Sequence, residues 1–240
     1  MQLTVGILQY CPTKGPTLPN VEILTDWIKT AAQSGARLVL LPEMSLNGYL
    51  YRSKSQIQSL AEEAQGPSFA HFSQLCKQLG VYLVYGFAEK KAPRLYNSQN
   101  LIGPGGELLG TYQKRHLFEA DRPWASAGSG PFLAVPTPIG RLGLGICMDL
   151  NFNDLPFFHQ QQKTDLLCLS MHWLEEGQNV NQYWSARLLP FDGVTLIANG
   201  HGLDQGTHYA GRSGAYHKGR WLALAEPSGD RLLVVTVETN

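Results

Sequence analysis

The chain has 240 residues, a length that suits one large domain better than two, so we predict a single domain over residues 1–240. Hydrophobic residues make up 43% of the chain and charged residues 16%, which allows a sizeable core and leaves too little charge for long disordered tails. The formal net charge is +0 at pH 7, which argues against nucleic acid or an anionic membrane as the main partner and favours a small molecule.

The cysteines give no sign of a metal site or of a disulfide framework. They stand at Cys11, Cys76, Cys147 and Cys168, without a C-x-x-C pair and without a histidine at metal-ligand spacing. Reduced thiols of this kind predict a cytoplasmic protein. An apolar strand begins near residue 3, and neither a signal peptide nor a run of transmembrane length is visible, so no membrane association is expected.

The N-terminal segment has the pattern of two strands joined by a helix. Apolar runs over residues 3–8 and 37–41 predict buried strands, and the helical spacing of apolar residues predicts a helix over 20–34. Asn20 is the expected N-cap of this helix, and Gly35 is expected to end it. A strand, a helix and a second strand in this order favour parallel pairing.

A carboxylate, Glu43, follows the second of these strands directly after Pro42. At the end of a buried strand a carboxylate is poorly solvated, so its pKa should rise and it could carry a proton near neutral pH. A carboxylate at a helix N-terminus, or an acid satisfied by buried hydrogen bonds, would give the same pattern. The position of Glu43 alone leaves these alternatives open.

A lysine stands at the end of a predicted β-hairpin. The predicted elements before it are a helix over 68–79, a strand over 81–87, and strands over 97–102 and 107–112. The turn Gly103-Pro-Gly-Gly106 joins the last two strands. Lys114 follows the second strand and precedes a loop over 116–130 rich in Trp, Pro, Gly and Ser. Most lysines at strand ends are surface residues, and this alternative stays open for Lys114. A loop of this length without predicted secondary structure is more often functional, which favours a role for the lysine beside it.

Cys147 ends a short, glycine-rich apolar strand over residues 142–146. A helix-start signal at Asn153 and Asp154 follows, so the cysteine is predicted to lie on a tight strand-to-helix turn. There its thiol would face a cleft, and the next backbone N–H, that of Met148, would point towards the group that the sulfur attacks. A lone cysteine in an apolar strand is more often a small buried hydrophobe, and this alternative stays open.

The rest of the chain continues with alternating helices and strands. The predicted elements are helices over 153–162 and 179–189, strands over 166–170 and 194–198, and three short strands around 215–216, 221–225 and 232–237. Met171, His172 and Trp173 follow the strand over 166–170, so a further strand end carries side chains suited to a binding site. The whole pattern predicts an α/β fold.

Glu43, Lys114 and Cys147 are the residue types that nucleophilic attack on an amide or nitrile carbon needs. The reaction requires a thiol nucleophile, a base that takes the thiol proton and returns it to the departing nitrogen, and a positive charge where oxygen or nitrogen becomes negative. Each of the three residues follows a strand-like run. Their spacing alone does not show that they meet.

Three segments resemble the signature segments of the nitrilase, or carbon-nitrogen hydrolase, superfamily. They are Leu40-Leu-Pro-Glu-Met-Ser-Leu-Asn-Gly-Tyr49, Tyr112-Gln-Lys-Arg-His-Leu-Phe118 and Gly143-Leu-Gly-Ile-Cys-Met-Asp149, in the family's order. The resemblance implies a four-layer α-β-β-α sandwich of two mixed sheets flanked by helices. It also implies a homodimer or another homo-oligomer. No cofactor and no metal are expected from the resemblance.

The resemblance further implies a role for each residue of the triad. Glu43 is the general base, Lys114 is the positive group beside the tetrahedral intermediate, and Cys147 is the nucleophile. The family commonly has a second glutamate in the loop after the lysine. Glu119 is the nearest candidate for that role, and Asp121 is the next.

The expected activity is hydrolysis of a small or terminal carboxamide, with release of ammonia through a cysteine thioester. Cys147-Met-Asp-Leu-Asn151 and Met171-His-Trp-Leu174 are similar to segments of the branch that contains protein N-terminal amidases. His172 and Trp173 are therefore candidates for the substrate pocket and Trp124 is a weaker one, although such aromatic residues are commonly core residues. The alternatives are a nitrilase, a hydrolase of carbamoyl compounds, and a non-catalytic binding or scaffold protein.

Overall fold

Two six-stranded mixed sheets pack face to face in the computed structural model, which describes residues 1–177 and 179–239. Within these residues the strands are β1 (Gln2–Gln9), β2 (Leu38–Leu40), β3 (Tyr82–Lys91), β4 (Arg94–Ile102), β5 (Leu108–Gln113), β6 (Leu133–Thr137), β7 (Gly140–Ile146), β8 (Leu166–Met171), β9 (Val194–Asn199), β10 (His201–Asp204), β11 (Thr207–Ala210), β12 (Gly214–His217), β13 (Arg220–Leu224) and β14 (Arg231–Glu238). The helices are α1 (Thr17–Gln33), α2 (Lys54–Ile57), α3 (Pro67–Leu79), α4 (Asp154–Gln161) and α5 (Val180–Leu188), and a short 3-10 helix covers Cys147–Asn151. None of the helices in this part of the chain is long and apolar enough to cross a membrane.

The strand order is β14-β1-β2-β3-β4-β5 in the first sheet and β13-β12-β9-β8-β7-β6 in the second, while β10 and β11 form a separate hairpin. The central neighbours β1-β2-β3 and β7-β8-β9 are parallel, and the outer strands pair antiparallel. The predicted parallel pairing of the first two strands is therefore confirmed. With helices on the outer faces, the arrangement also confirms the predicted α-β-β-α sandwich.

Strand β2 shows how one apolar run contributes to two cores. Leu38 and Leu40 pack into the core that includes the space between the sheets, while Val39 and Leu41 pack with the apolar faces of α1 and α3. Successive side chains of a strand point to opposite faces, so a strand that is buried on both faces has to be apolar throughout. At the end of this strand the chain carries Glu43 into the protein interior.

Helix α1 begins at Thr17, earlier than predicted, and Asn20 is not its N-cap. The buried Asn20 side chain instead accepts a hydrogen bond from the Tyr10 hydroxyl at 2.8 Å and donates to the Leu46 carbonyl at 2.9 Å. It therefore ties the helix to the end of β1 and to the turn after β2. The predicted helix end at Gly35 is confirmed, because Gly35 follows the last turn with a φ of 87°.

The sequence pattern does not predict β6 or the β10-β11 hairpin. Strand β6 lies at the edge of the second sheet and contains Pro136, which weakens a strand pattern but is tolerated at an edge. The hairpin turns through Gln205 and Gly206, which have φ values of 46° and 84°. It packs against the end of β8, where the Ala210 N–H donates to the Trp173 carbonyl at 2.9 Å.

The candidate residues follow the ends of strands in both sheets. Glu43 follows β2, Lys114 follows β5, Cys147 follows β7 and His172 follows β8. The sheets are joined at this end by Ser170, whose hydroxyl donates to the carbonyl oxygen of residue 41 at 2.6 Å. The face-to-face packing of the sheets therefore gathers side chains from distant parts of the chain.

Candidate active site

Glu43 is completely buried in the turn after β2. Gly86 of β3 lies directly against this turn, because a Cβ atom on Gly86 would come within 2.8 Å of the Glu43 Cα and within 2.6 Å of the Met44 nitrogen. A larger residue at position 86 would push the turn away. Met44 itself has a φ of 50°, in the left-handed region. The tight turn and the close approach of β3 fix the backbone of Glu43.

The Glu43 carboxylate accepts three hydrogen bonds. Oε1 accepts from Lys114 Nζ at 2.7 Å and from Asn97 Nδ2 at 2.7 Å. Oε2 accepts from the backbone N–H of His172 at 2.9 Å. Asn97 belongs to β4 and Lys114 follows β5 in the first sheet, while His172 follows β8 of the second, so this carboxylate lies at the junction of the sheets. Each of these bonds favours the ionised carboxylate.

Lys114 is also completely buried, and its ammonium group bridges two carboxylates. Nζ lies 2.7 Å from Glu43 Oε1 and 2.6 Å from Asp121 Oδ2. Asp121 Oδ1 in turn accepts from Asn97 Nδ2 at 3.1 Å and from the Tyr49 hydroxyl at 2.8 Å. A buried charge is tolerated when it is paired and hydrogen-bonded in this way, and the ammonium group is thereby held in one place.

Asp121, and not Glu119, is the second carboxylate beside Lys114. In the turn after β5 the Phe118 N–H donates to Asp121 Oδ2 at 3.0 Å, and the Asp121 N–H donates to the Phe118 carbonyl at 3.0 Å. This turn places Asp121 in the interior and leaves Glu119 exposed. The first choice from the sequence therefore does not reach the site, and the second one does.

Burial acts on the pKa of both charged partners. It raises the pKa of Glu43 above its ordinary value, although the charge of Lys114 opposes the rise. Burial by itself would lower the pKa of Lys114, but the charges of Asp121 and Glu43 outweigh burial and raise that pKa. Lys114 therefore stays protonated, while Glu43 has a higher proton affinity than an ordinary carboxylate. Such a carboxylate is suited to general-base catalysis.

Cys147 lies on the predicted tight turn, as the first residue of the 3-10 helix that follows β7. Its φ of 39° is in the left-handed region, a conformation that costs a residue with a side chain about 1–3 kcal/mol. The residue is 8% exposed and lines a cavity of about 350 Å³. Strained strand-to-helix turns of this kind present nucleophiles to a cleft. Cys147 therefore faces a space that a small molecule can occupy.

The pKa of the Cys147 thiol is raised, first by burial and then by the negative charge of Glu43. The charge of Lys114 and the backbone N–H of His172 oppose this rise without cancelling it. The sulfur therefore lies within electrostatic reach of both members of the Glu43-Lys114 pair. It is a thiol at neutral pH, and it needs a base at the moment of attack.

Asp149 connects the turn after β7 to the end of β5. Its buried carboxylate accepts hydrogen bonds from the Tyr112 hydroxyl at 2.8 Å and from the Ile146 N–H at 3.0 Å, both at Oδ2. Oδ1 accepts from the His116 N–H at 2.9 Å. One side chain thus holds the segment that carries the nucleophile against the segment that carries Lys114.

The cavity at Cys147 has mainly apolar and aromatic walls, as is typical of small-molecule sites. Its lining residues are Phe118, Cys147, Met148, Asn151, His172, Trp173, Leu174, Glu176, Val180 and Tyr183. The structure thus places Met148, His172 and Trp173 in the wall of the cavity. Trp124 is not among the lining residues, because it is buried in a separate cluster, edge-on to Tyr51 with 6.5 Å between ring centroids.

His172 forms an uncharged part of the cavity wall. Its ring stacks on Tyr49 with 5.5 Å between centroids and meets Tyr209 edge-on at 4.8 Å. A Cβ atom on Gly200 would lie 2.6 Å from the ring, so only glycine leaves room for it there. Burial lowers the pKa of His172 to about 4, and the ring is neutral at physiological pH. It therefore shapes the site without adding charge.

Sequence reasoning missed the polar residues that hold the acids in place, namely Tyr49, Asn97 and Asp149. Tyr49 and Asp149 lie within the segments that carry the family resemblance, but nothing in those segments shows which atoms they contact. Asn97 stands at the start of a predicted strand. A polar amide in a strand otherwise suited to burial was the available signal, because a buried amide requires hydrogen-bond partners.

The part of the chain that the structure describes offers no evident metal site. No group of three His, Cys, Asp or Glu side chains within it is arranged to hold a metal ion. The buried carboxylates Glu43 and Asp121 are both occupied by the ammonium group of Lys114.

Comparison with known proteins gives the family. Residues 4–236 match the sequence profile of the carbon-nitrogen hydrolases. This chain belongs to that family. The hydrolase is 31% identical over 254 residues to a protein N-terminal amidase of Schizosaccharomyces pombe, and the match covers 87% of this chain and 88% of that protein. It is 32% identical over 206 residues to an omega-amidase of Homo sapiens, covering 76% of this chain and 73% of that one.

Solved structures share the fold of the hydrolase. An amidase from Nesterenkonia sp. matches it with a TM-score of 0.88 at 21% identity, covering 98% of this chain and 90% of that chain. The family match and the named relatives show that the protein is an enzyme that hydrolyses carbon-nitrogen bonds, which confirms the prediction from the three sequence segments.

Proposed function

We propose that the hydrolase cleaves a small or terminal primary carboxamide through a thioester on Cys147, with Glu43 as general base. Lys114 and the backbone N–H of Met148 bind the oxyanion. The observation that carries the proposal is the buried contact of 2.7 Å between Glu43 and Lys114, whose two charges both act on the Cys147 thiol. Two relatives that bear the name amidase support the choice of an amide.

The first half of the reaction forms the thioester. Glu43 takes the thiol proton as the Cys147 sulfur attacks the carbonyl carbon, and the carbonyl oxygen becomes negative beside Lys114. The carbon-nitrogen bond then breaks while Glu43 gives its proton to the leaving nitrogen, and ammonia departs. The raised pKa of Glu43 favours both proton transfers, because the base is stronger than an ordinary carboxylate and its conjugate acid remains an effective donor.

The second half of the reaction hydrolyses the thioester. Glu43 takes a proton from a water molecule, the resulting hydroxyl group bonds to the thioester carbon, and the oxyanion forms again beside Lys114. The carbon-sulfur bond breaks, and the proton on Glu43 returns to the Cys147 sulfur as the carboxylic acid leaves. Removing one oxyanion donor from sites of this type costs about 3–4 kcal/mol of barrier, so a fixed Lys114 is central to both halves.

Asp121 acts in this proposal as a positioning residue. Its carboxylate lies 2.6 Å from the ammonium group of Lys114. Asp121 therefore acts on the reaction only through Lys114. Its other oxygen is held by Asn97 and Tyr49. With two carboxylates sharing one ammonium group, Lys114 keeps its proton when Glu43 is protonated during the reaction.

Covalent chemistry at cysteine has support from a structural relative. A variant of the Nesterenkonia amidase carries the acetamide moiety of fluoroacetamide on its active-site cysteine. For the present hydrolase we propose the same kind of bond at Cys147, since this cysteine lines the cavity while Cys76 and Cys168 are fully buried elsewhere.

A panel of substrates tests the proposal directly. Ammonia release is measured with simple primary amides, peptides with N-terminal asparagine or glutamine, 2-oxo-acid amides and simple nitriles. We expect ammonia from amides, and we expect acid-quenched native enzyme to show the acyl mass on the peptide that contains Cys147. Cys147→Ala is the control for that adduct. Turnover of nitriles alone would replace the proposal with a nitrilase, and no ammonia from any compound would favour carbamoyl or acyl-transfer chemistry.

The pH profile should have an acidic limb set by Glu43. The base works only when it is deprotonated, and its pKa is raised above the ordinary 4.5, so kcat/KM should fall as the pH drops through that raised value. No basic limb is expected from Lys114, whose pKa is raised. An additional rise of kcat/KM at alkaline pH, towards the raised pKa of the Cys147 thiol, would instead indicate attack by a free thiolate and would contradict proton transfer to Glu43.

Asp149→Asn tests whether Asp149 anchors the turn that carries Cys147 to the end of β5. An amide NH2 group cannot accept hydrogen bonds, so at least one of the donors around residue 149 is left unsatisfied, at a cost of about 2 kcal/mol in the free energy of unfolding. Loosening of the Cys147 turn should lower kcat/KM by at least about tenfold. Tyr112→Phe is the matched control, because it removes one of the three hydrogen bonds. Urea unfolding and ammonia release measure both effects, and equal losses in the two variants would argue against the anchoring role.

A further inference from the structure

The cavity at Cys147 carries a charge that the proposed chemistry does not use. Among the described residues that line it, Glu176 is the only one of the types Asp, Glu, Lys and Arg. His172 adds no positive charge, because burial lowers its pKa to about 4. Lys114 is buried and paired with Glu43 and Asp121, so it does not compensate Glu176.

Glu176 is available to a ligand. Its side chain is exposed, and none of the ion pairs or side-chain hydrogen bonds among the described residues involves it. Its neighbour Glu175 behaves differently: that carboxylate lies 3.7 Å from Arg212, and its N–H donates to the His208 carbonyl at 2.8 Å. Glu175 therefore bonds to the protein itself, whereas Glu176 is an exposed residue of the cavity lining.

Aromatic rings share the cavity with this carboxylate. Trp173 and Tyr183 both line it, and their ring centroids are 5.7 Å apart. The buried Trp184 packs edge-on against Trp173 with 5.9 Å between ring centroids. The Tyr183 hydroxyl donates a hydrogen bond to Asn151 Oδ1. Fixed aromatic rings together with a carboxylate bind organic cations, because the ring faces and the carboxylate both attract positive charge.

We propose that Glu176, together with Trp173 and Tyr183, binds a cationic group on the acyl part of the substrate. The hydrolase then prefers primary amides that carry an ammonium group over neutral amides of the same length, and it disfavours amides that carry a carboxylate. This inference rests on the proposed amidase function and adds to it a substrate class and a specificity-determining residue.

Three amides with the same chain length test the inference: 5-aminopentanamide, pentanamide and glutaramate, which are cationic, neutral and anionic at neutral pH. In the native enzyme kcat/KM should fall in that order, with about fivefold between the cationic and the neutral amide, as expected for a partly exposed charge contact. Glu176→Gln should remove the preference for the cation, because KM for the cationic amide should rise about fivefold relative to KM for the neutral amide in the same variant. Glu176→Lys should favour glutaramate over the cationic amide.

Glu175→Gln is the matched control, because it removes the same charge from the neighbouring position outside the cavity lining, and it should keep the native order. Turnover of pentanamide at the native level by Glu175→Gln shows that the loss of a carboxylate from this segment leaves the fold and the reaction intact. If the amides are hydrolysed but Glu176→Gln keeps the native order, the inference is wrong and the amidase function stands. If the native enzyme hydrolyses none of the three, both the amidase proposal for small amides and the inference fail.

Discussion

Cys147→Ala is expected to lower kcat/KM for a primary amide by roughly 10⁴-fold or more. Among the described residues that line the cavity Cys147 has the only thiol, so the variant has no group there to form the thioester. The substitution removes a single sulfur atom from a side chain that already borders a cavity. The free energy of unfolding should therefore change by no more than about 1 kcal/mol. Ammonia release and urea unfolding provide the two measurements.

Cys11→Ala is the matched control for this prediction. Cys11 is partly exposed, follows β1 and does not line the cavity, so its loss should leave kcat/KM at the native level. Iodoacetamide should likewise inactivate the native enzyme, because it can reach Cys147 through the cavity and Glu43 can take the thiol proton, whereas the fully buried Cys76 and Cys168 should stay unmodified. A Cys147→Ala variant with more than about a tenth of native activity would be incompatible with a nucleophilic role.

Lys114→Met is expected to damage both stability and catalysis. The substitution leaves the fully buried carboxylates of Glu43 and Asp121 without their shared cation. Removal of one partner from a buried ion pair costs about 3–5 kcal/mol of unfolding free energy. Loss of the oxyanion donor should lower kcat about 10²- to 10³-fold in the protein that remains folded.

The stability defect of Lys114→Met should shrink as the pH falls. Without the ammonium group the pKa of the buried Glu43 carboxyl rises further in the folded state, so its ionisation above that pKa opposes folding. Below the unfolded-state pKa both states are protonated, and the electrostatic part of the defect disappears. Urea unfolding at a series of pH values measures this change, and a defect that is constant with pH would mean that lost packing, rather than unpaired charge, causes it.

A double variant separates the two effects of Lys114→Met. Adding Asp121→Asn removes one of the two unpaired charges, so part of the unfolding free energy should return. Activity should not return, because the oxyanion donor is still missing. Recovery of both stability and activity in the double variant would show that Lys114 has only a structural role.

Much of the fold follows from local sequence patterns. The apolar run before Glu43 predicts a strand that is buried on both faces, and the glycine-rich run before Cys147 predicts a strand that ends in a tight turn. Both predictions depend on side-chain period and turn chemistry, which are properties of neighbouring residues. Strand β6 escapes the same reasoning because Pro136 interrupts its pattern, and the hydrogen-bonding partner β7 that makes it a strand is a tertiary feature.

The choice between Glu119 and Asp121 shows where local reasoning stops. Both are acidic, and both follow Lys114 in the same loop. The turn that buries Asp121 and exposes Glu119 is closed by hydrogen bonds between Phe118 and Asp121. This turn is stable only because Lys114, Asn97 and Tyr49 supply hydrogen-bond partners for the buried carboxylate. A buried carboxylate is stable only with such partners, which no spacing rule contains.

By itself the sequence determined most of the strands and helices, the parallel pairing at the start of the chain, and the three residue types that follow strands as in the carbon-nitrogen hydrolases. Tertiary structure alone decided that Glu43 and Lys114, 71 positions apart, are in contact, and that Asn97 bridges Glu43 to Asp121. The physical reason is that side-chain period and turn preference act between neighbours in the chain. Charge pairing and desolvation depend on distances through space, and the packing of the two sheets sets those distances.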